Sequence, residues 1–148
     1  MTAETTLRLA RDFENIVAIK EASGNIGQMD EIIKNKPEGF DVISGDDGIT
    51  FPLITLGAVG VISVLGNAFP AEFSKMNRLA LEGNYAEALT IHHQFTEIIN
   101  LLFADGNPAG AKAMLNIMGM CENKLRLPLV PAREVTYEKL RAAWEALK

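Results

Sequence analysis

Three short apolar runs constrain this chain more than anything else in it: residues 15–20 (NIVAIK), 40–44 (FDVIS) and 60–65 (GVISVL). β-Branched runs of this length read as strands buried on both faces, the pattern of a parallel sheet. A stretch of helical character follows each. The first runs over about 26–36 and is stopped by Pro37 and Gly39. The second covers 49–56 and ends at Gly57, and the third covers 71–81 and ends at Gly83. A helix also precedes the first strand, with Thr2 as N-cap, Glu4 in the first turn and Leu7, Leu9 and Phe13 as its apolar positions. From there the pattern is helical only, over about 85–103, 108–118 and 135–147. The expected fold is therefore α/β, an α-(βα)3 segment of a (β/α) barrel over residues 1–83 and a helical extension over 84–148. Strands alternating with helices imply parallel pairing through helical crossovers.

The chain has 148 residues, whereas a closed eight-stranded parallel barrel needs roughly 200 or more. Three strands do not close, and both edges of such a sheet offer unpaired backbone groups to another chain. Either the segment belongs to a larger barrel or it completes its sheet by association. Composition narrows the partners. A net charge of −5 argues against a nucleic-acid binder, which would show a basic face. A single cysteine, Cys121, excludes an internal disulfide framework and a multi-cysteine zinc site. No apolar run reaches 18 residues, and the first residues lack a charged-then-apolar signal pattern, so a cytoplasmic chain without membrane contact is expected.

Lys20 stands out. Alternation along 16–20 puts Ile16, Ala18 and Lys20 on one face and Val17, Ile19 and Glu21 on the other. At the C-terminal tip of a barrel strand, the lysine points to where barrel enzymes hold their chemistry. Partial desolvation there favours the neutral amine, which attacks a ketone to form an imine. The alternative is a strand-end lysine whose stem snorkels to solvent. Ser44-Gly45-Asp46-Asp47 shares the address one strand on. Its carboxylates suit a metal, acid–base work or a helix cap, with capping the expected role of Asp47. Gly45 marks a tight turn or a close approach. Gly66-Asn67 reads first as a turn. His92 and His93, about 100° apart on a helix, do not readily share a ligand. Cys121 lacks a flanking base and reads as a buried spectator. Met114, Leu115, Met118 and Met120 read as packing residues. Gly24-Asn25-Ile26-Gly27 fails the dinucleotide spacing.

Together IKEASGN (19–25), VISGDDG (42–48), GVISVLGN (60–67), NPAGAKAML (107–115) and LRLPLVP (125–131) carry a family resemblance. The chain resembles the dihydrodipicolinate synthase and N-acetylneuraminate lyase family of class I aldolases, (β/α)8 barrels with a C-terminal helical extension. The resemblance covers essentially all of this chain and about the second half of the family's usual length. It implies that Lys20 forms an imine with pyruvate, that Gly45 and Asp46 line the pyruvate pocket, and that Ile62 adds a backbone contact. It implies no metal and no organic cofactor. The wording of the motifs is closer to the synthase branch, which condenses pyruvate with aspartate 4-semialdehyde on the way to diaminopimelate and lysine; another pyruvate aldolase of the family is the alternative. The family's Thr-Thr-Tyr proton relay, carboxylate-binding arginine, GGTTGE loop and lysine feedback site fall in the half not matched. The chain alone is accordingly expected to be inactive or very weak. The expected partners are a complementing N-terminal half or further copies of itself in a homo-oligomer, and the competing reading is a non-catalytic half-barrel that self-associates through its open sheet. The family's NP.P.K motif lacks its second proline in Asn107-Pro-Ala-Gly-Ala-Lys112, a departure that bears on helix packing.

Overall fold

A computed structural model of the chain describes residues 1–148. Helix α1 (Ala3–Asp12) leads into strand β1 (Ala18–Glu21), α2 (Ile26–Asn35), β2 (Asp41–Ser44), α3 (Thr50–Leu56) and β3 (Gly60–Val61). The helices α4 (Pro70–Leu81), α5 (Tyr85–Phe103), α6 (Ala109–Ile117) and α7 (Glu134–Glu145) follow. The sheet is parallel with order β1-β2-β3. The α/β alternation is as the apolar runs imply.

Local chemistry accounts for the boundaries. The Thr2 hydroxyl accepts the Thr5 amide and starts α1, and the Asn25 side chain accepts the Gln28 amide and starts α2. Helix α3 stops at Gly57, whose φ of 118° lies in the left-handed region. Two strands are shorter than the apolar runs. β1 begins at Ala18, and β3 holds only Gly60 and Val61. After β3 the chain turns through a 3-10 segment, Leu65–Asn67, which buries Leu65 completely. The apolar run over 60–65 thus divides between a ladder and a buried turn, two ways of hiding the same side chains that hydropathy does not separate. Gly66-Asn67 lies in that turn, as expected.

The chain divides into two compact units, Met1–Ser63 with Asn77–Ala88, and Val64–Met76 with Leu89–Lys148. These units are discontinuous along the chain, and α4 and α5 each contribute residues to both.

In the first unit the pairing aligns Ile19 with Val42 and Lys20 with Ile43. Ile19 and Val42 pack with Leu7, Ile32 and Phe40 under α1 and α2. Met29, Leu53 and Ala58 form a second cluster, joined by Ile33 and Ile49. Each such buried aliphatic side chain contributes about 1.5–3 kcal/mol. Phe13, expected in the α1 core, is half exposed, because α1 has already ended at Asp12. In the second unit Phe69 packs on Phe95 and Trp144, with ring centroids 4.9 and 5.6 Å apart. Gly110 lets α6 approach α5: a Cβ there would run into the Leu102 backbone. Met114 is fully buried, but Met120 is exposed, lying beyond the end of α6. No helix is long and apolar enough to cross a membrane.

Candidate active site

Lys20 is the next-to-last residue of β1, and Ser44 the last of β2. Parallel pairing brings the ends of the strands level, aligning Glu21 with Ser44 and Ser44 with Val61. The ladder continues past the strands: the Gly45 amide donates to the Glu21 carbonyl (2.8 Å) and the Ile62 amide to the Ser44 carbonyl (2.9 Å). Those bonds hold Lys20, Gly45, Asp46 and Ile62 at one end of the sheet, in the first compact unit. The four residues singled out from the sequence are therefore neighbours along adjoining strand tips.

Gly45 is where space is tightest. A Cβ built on it would lie 2.6 Å from the Ala22 Cβ, 2.8 Å from the Lys20 Cε and 3.1 Å from its Cγ. The stem of Lys20 thus runs across the bare α-carbon of Gly45, alongside Ala22. Glycine at this position makes room for the lysine stem rather than supplying a left-handed turn. The face bearing Lys20 is otherwise open. Lys20 is exposed and Ile62 is 52% exposed, in contrast to the helix-covered face of Ile19 and Val42.

The cap falls to Asp46 rather than Asp47. The Asp46 Oδ1 accepts the Gly48 amide at 2.9 Å, so Asp46 caps the 3-10 turn Asp47–Ile49, and Asp47 lies buried within it. The expectation of Asp47 as the cap is corrected, because the 3-10 turn starts one residue earlier than the α-helical pattern indicates. Beneath this turn the Ser44 and Thr50 hydroxyls lie 2.9 Å apart, within 3.0 and 2.8 Å of the Asp46 carbonyl. Both are completely buried, and they hold the loop that carries Gly45 and Asp46.

Glu21 is a residue that sequence reasoning passed over. It is only 5% exposed. Its Oε1 accepts the Ser23 amide at 2.7 Å and its Oε2 accepts the Gln28 Nε2 at 3.1 Å. The signal was present: a carboxylate on the helix-facing side of a strand must be bonded if it is buried.

The remaining candidates lie elsewhere. His93 is exposed and His92 half-buried, their rings 5.6 Å apart and tilted by 50°. Burial, then the charge of His93, hold the His92 imidazole below its usual range. Cys121 is half-buried rather than buried, since it follows the exposed Gly119 and Met120 at the end of α6. The chain has no group of three or more His, Cys, Asp or Glu arranged to hold a metal ion.

The family model for the dihydrodipicolinate synthetase family matches residues 1–147. A 4-hydroxy-tetrahydrodipicolinate synthase from Phocaeicola vulgatus is 78% identical over 148 residues, all of this chain and 50% of its own length. A dihydrodipicolinate synthase structure from Thermotoga maritima superposes with a TM-score of 0.95 at 39% identity, covering 99% of this chain and 50% of its own. The chloride-inhibited dihydrodipicolinate synthase from Acinetobacter baumannii, solved in complex with pyruvate, superposes with a TM-score of 0.93 at 34% identity, covering 99% and 50%. The chain spans about half the length of the curated relatives it matches.

Proposed function

The chain belongs to the dihydrodipicolinate synthetase family, and from that premise we propose that it carries the imine-forming half of a pyruvate-condensing lyase. Lys20 is the nucleophile of this reading. Its Nζ lone pair attacks the ketone carbon of pyruvate, and the ketone oxygen leaves as water, giving an iminium that acidifies the adjacent methyl group. The resulting enamine then adds to an aldehyde, aspartate 4-semialdehyde in the reading that the resemblance to the synthase branch implies. Gly45, Asp46 and Ile62 line the pyruvate end of the pocket. The chemistry needs no metal and no organic cofactor, and the compartment proposed is the cytoplasm.

What supports the reading is the juxtaposition at the strand tips: the Lys20 stem lies across Gly45, with Asp46 following in the same loop and the Ile62 amide bonded to the same strand. The exposure of Lys20 and Ile62 supports a second element, that this face is covered by chain not contained in these 148 residues. Without that cover, proton transfer and aldehyde positioning are lost. General acid–base catalysis is typically worth 10²–10⁴-fold, so the chain alone is a weak catalyst at best.

The test supplies the half of the Phocaeicola vulgatus relative that this chain does not span, as a separate polypeptide. Condensation of pyruvate with aspartate 4-semialdehyde is expected when both halves are present, at least 10²-fold above either alone, and is abolished by Lys20→Ala. A mixture as active with Lys20→Ala as with the parent chain overturns the reading. The open face also favours self-association as an alternative, in which two copies cover each other and no turnover appears with the added half.

A further inference from the structure

We propose that Glu21 is a positioning residue for Lys20, an inference that rests on the reading of Lys20 as the imine-forming amine. Burying a carboxylate is costly, and its usual compensation is a cation. Glu21 instead spends both oxygens on amides: the Ser23 backbone N–H at 2.7 Å and the Gln28 side chain at 3.1 Å. The first bond folds residues 21–23 into a fixed turn directly after the lysine. The second ties that turn to the first turn of α2, which Asn25 caps through the Gln28 amide.

The main chain of Glu21 completes the clamp, since its carbonyl accepts the Gly45 amide at 2.8 Å. Ala22, held between Glu21 and Ser23, provides the wall beside the Lys20 stem, and Gly45 provides its floor. Glu21 never touches the reacting atoms. Its side chain points to the helix face while Lys20 occupies the other, so it acts through the backbone on both sides of the groove in which the stem lies. Between the end of β1 and the tip of β2 the joining bonds are main-chain ladder bonds, and a terminal ladder frays readily unless its turn is held.

The test uses the 148-residue chain with Glu21→Ala, Glu21→Asp and Glu21→Gln, and two measurements. The first is the rate of borohydride trapping of pyruvate as a function of pyruvate concentration. The second is the rate of acetylation of Lys20 at one fixed pH, with exposed Lys34 as internal reference, which needs no pyruvate. Glu21→Ala and Glu21→Asp are expected to lower the maximal trapping rate by roughly tenfold to hundredfold, the scale of a misplaced group, with half-saturation changed less than about twofold. The same variants are expected to change the acetylation rate of Lys20 relative to Lys34 by at least about twofold, as the stem leaves its place against Gly45. Glu21→Gln keeps an oxygen for the Ser23 amide, and its new Nε2 donates to the Gln28 Oε1 once the Gln28 amide rotates, so both readouts are expected to return toward the parent values. Glu21→Asp decides the matter if Glu21→Ala does not fold. A folded variant lacking the clamp but with unchanged trapping and an unchanged relative acetylation rate of Lys20 overturns the inference. A parent chain that forms no adduct instead overturns the function proposed above, and the acetylation measurement then decides the role of Glu21 by itself.

Discussion

A single methyl group at Gly45 tests the arrangement around Lys20 at the scale of one residue. In Gly45→Ala the new Cβ meets the Ala22 Cβ and two carbons of the Lys20 stem within 3.1 Å. Ala22 cannot rotate away, so the lysine must yield or the strand tips must part. Overpacking of this kind costs about 1–3 kcal/mol, and the trapping rate is expected to fall at least tenfold as the amine leaves its groove. Gly60 supplies the control. It pairs with Ile43, has nothing within 4 Å of a built Cβ and no positive φ. Gly60→Ala is therefore expected to leave trapping unchanged and to be neutral or to stabilise by up to about 1 kcal/mol. Thermal melts with parallel trapping rates distinguish the two; equal effects at both glycines would contradict the steric account. The places of Lys20 and Gly45 at neighbouring strand tips were legible in the sequence, because each is an odd residue type at the end of an apolar run. Glu21 was not, because alternation assigns it a face without saying that α2 provides the amide that makes its burial tolerable.

Among the elements, the entry to α7 is held by one carboxylate. The Asp105 Oδ2 accepts the Arg133 amide at 2.8 Å and its Oδ1 accepts the Arg133 Nε at 2.7 Å, with an ion pair to Nη2 at 2.6 Å. Arg133 is the N-cap residue of α7 but gives the helix no side-chain cap, so Asp105 provides that anchor from the loop after α5. The Arg133 side chain foremost, with Thr136 and the Arg133 amide, pulls the Asp105 carboxyl down to about 2. A carboxyl depressed in the folded state contributes stability that is fully present above its unfolded value near 3.8 and is lost as pH falls toward about 2. Asp105→Asn is accordingly expected to lower the melting temperature at pH 7, and the difference is expected to close as pH approaches 2. The fluorescence of Trp144, on α7 against Phe69, reports the transition. A difference that persists undiminished at low pH would contradict the ionic anchor. Helices were the most legible elements, since α5 runs over the residues its periodicity marks, and the caps Thr2 and Gly57 act as their residue types imply. The strands were overextended, because Leu65 is as apolar in a buried 3-10 turn as it would be in a ladder. The Asp105 anchor joins residues 28 positions apart, a separation no local pattern registers.

At the scale of the whole molecule, a parallel sheet of three strands has one face under helices and two unpaired edges. Val17 is 60% exposed beside β1, Val59 44% beside β3, and Ile62 52% at the tip. Burying a valine contributes about 1.5–3 kcal/mol, so the chain is expected to self-associate, with a mass by light scattering that rises with concentration. Val17→Lys is expected to weaken that association at least tenfold. A concentration-independent monomer that melts cooperatively would contradict it. The broad fold and the family were legible in the sequence because its motifs, three at strand tips and two in the helical part, recur from residue 19 to residue 131. What meets the open face was not legible, because alternation marks which side chains are apolar and says nothing of what covers them. The central claim is that Lys20 lies in a groove that makes it an imine-forming amine. Intact-mass and peptide-mass measurement after treatment with pyruvate and borohydride tests it most directly. The account predicts one reduced pyruvate adduct per chain, located at Lys20 and absent in Lys20→Ala. No adduct, or adducts spread over the other lysines and undiminished in Lys20→Ala, would contradict it.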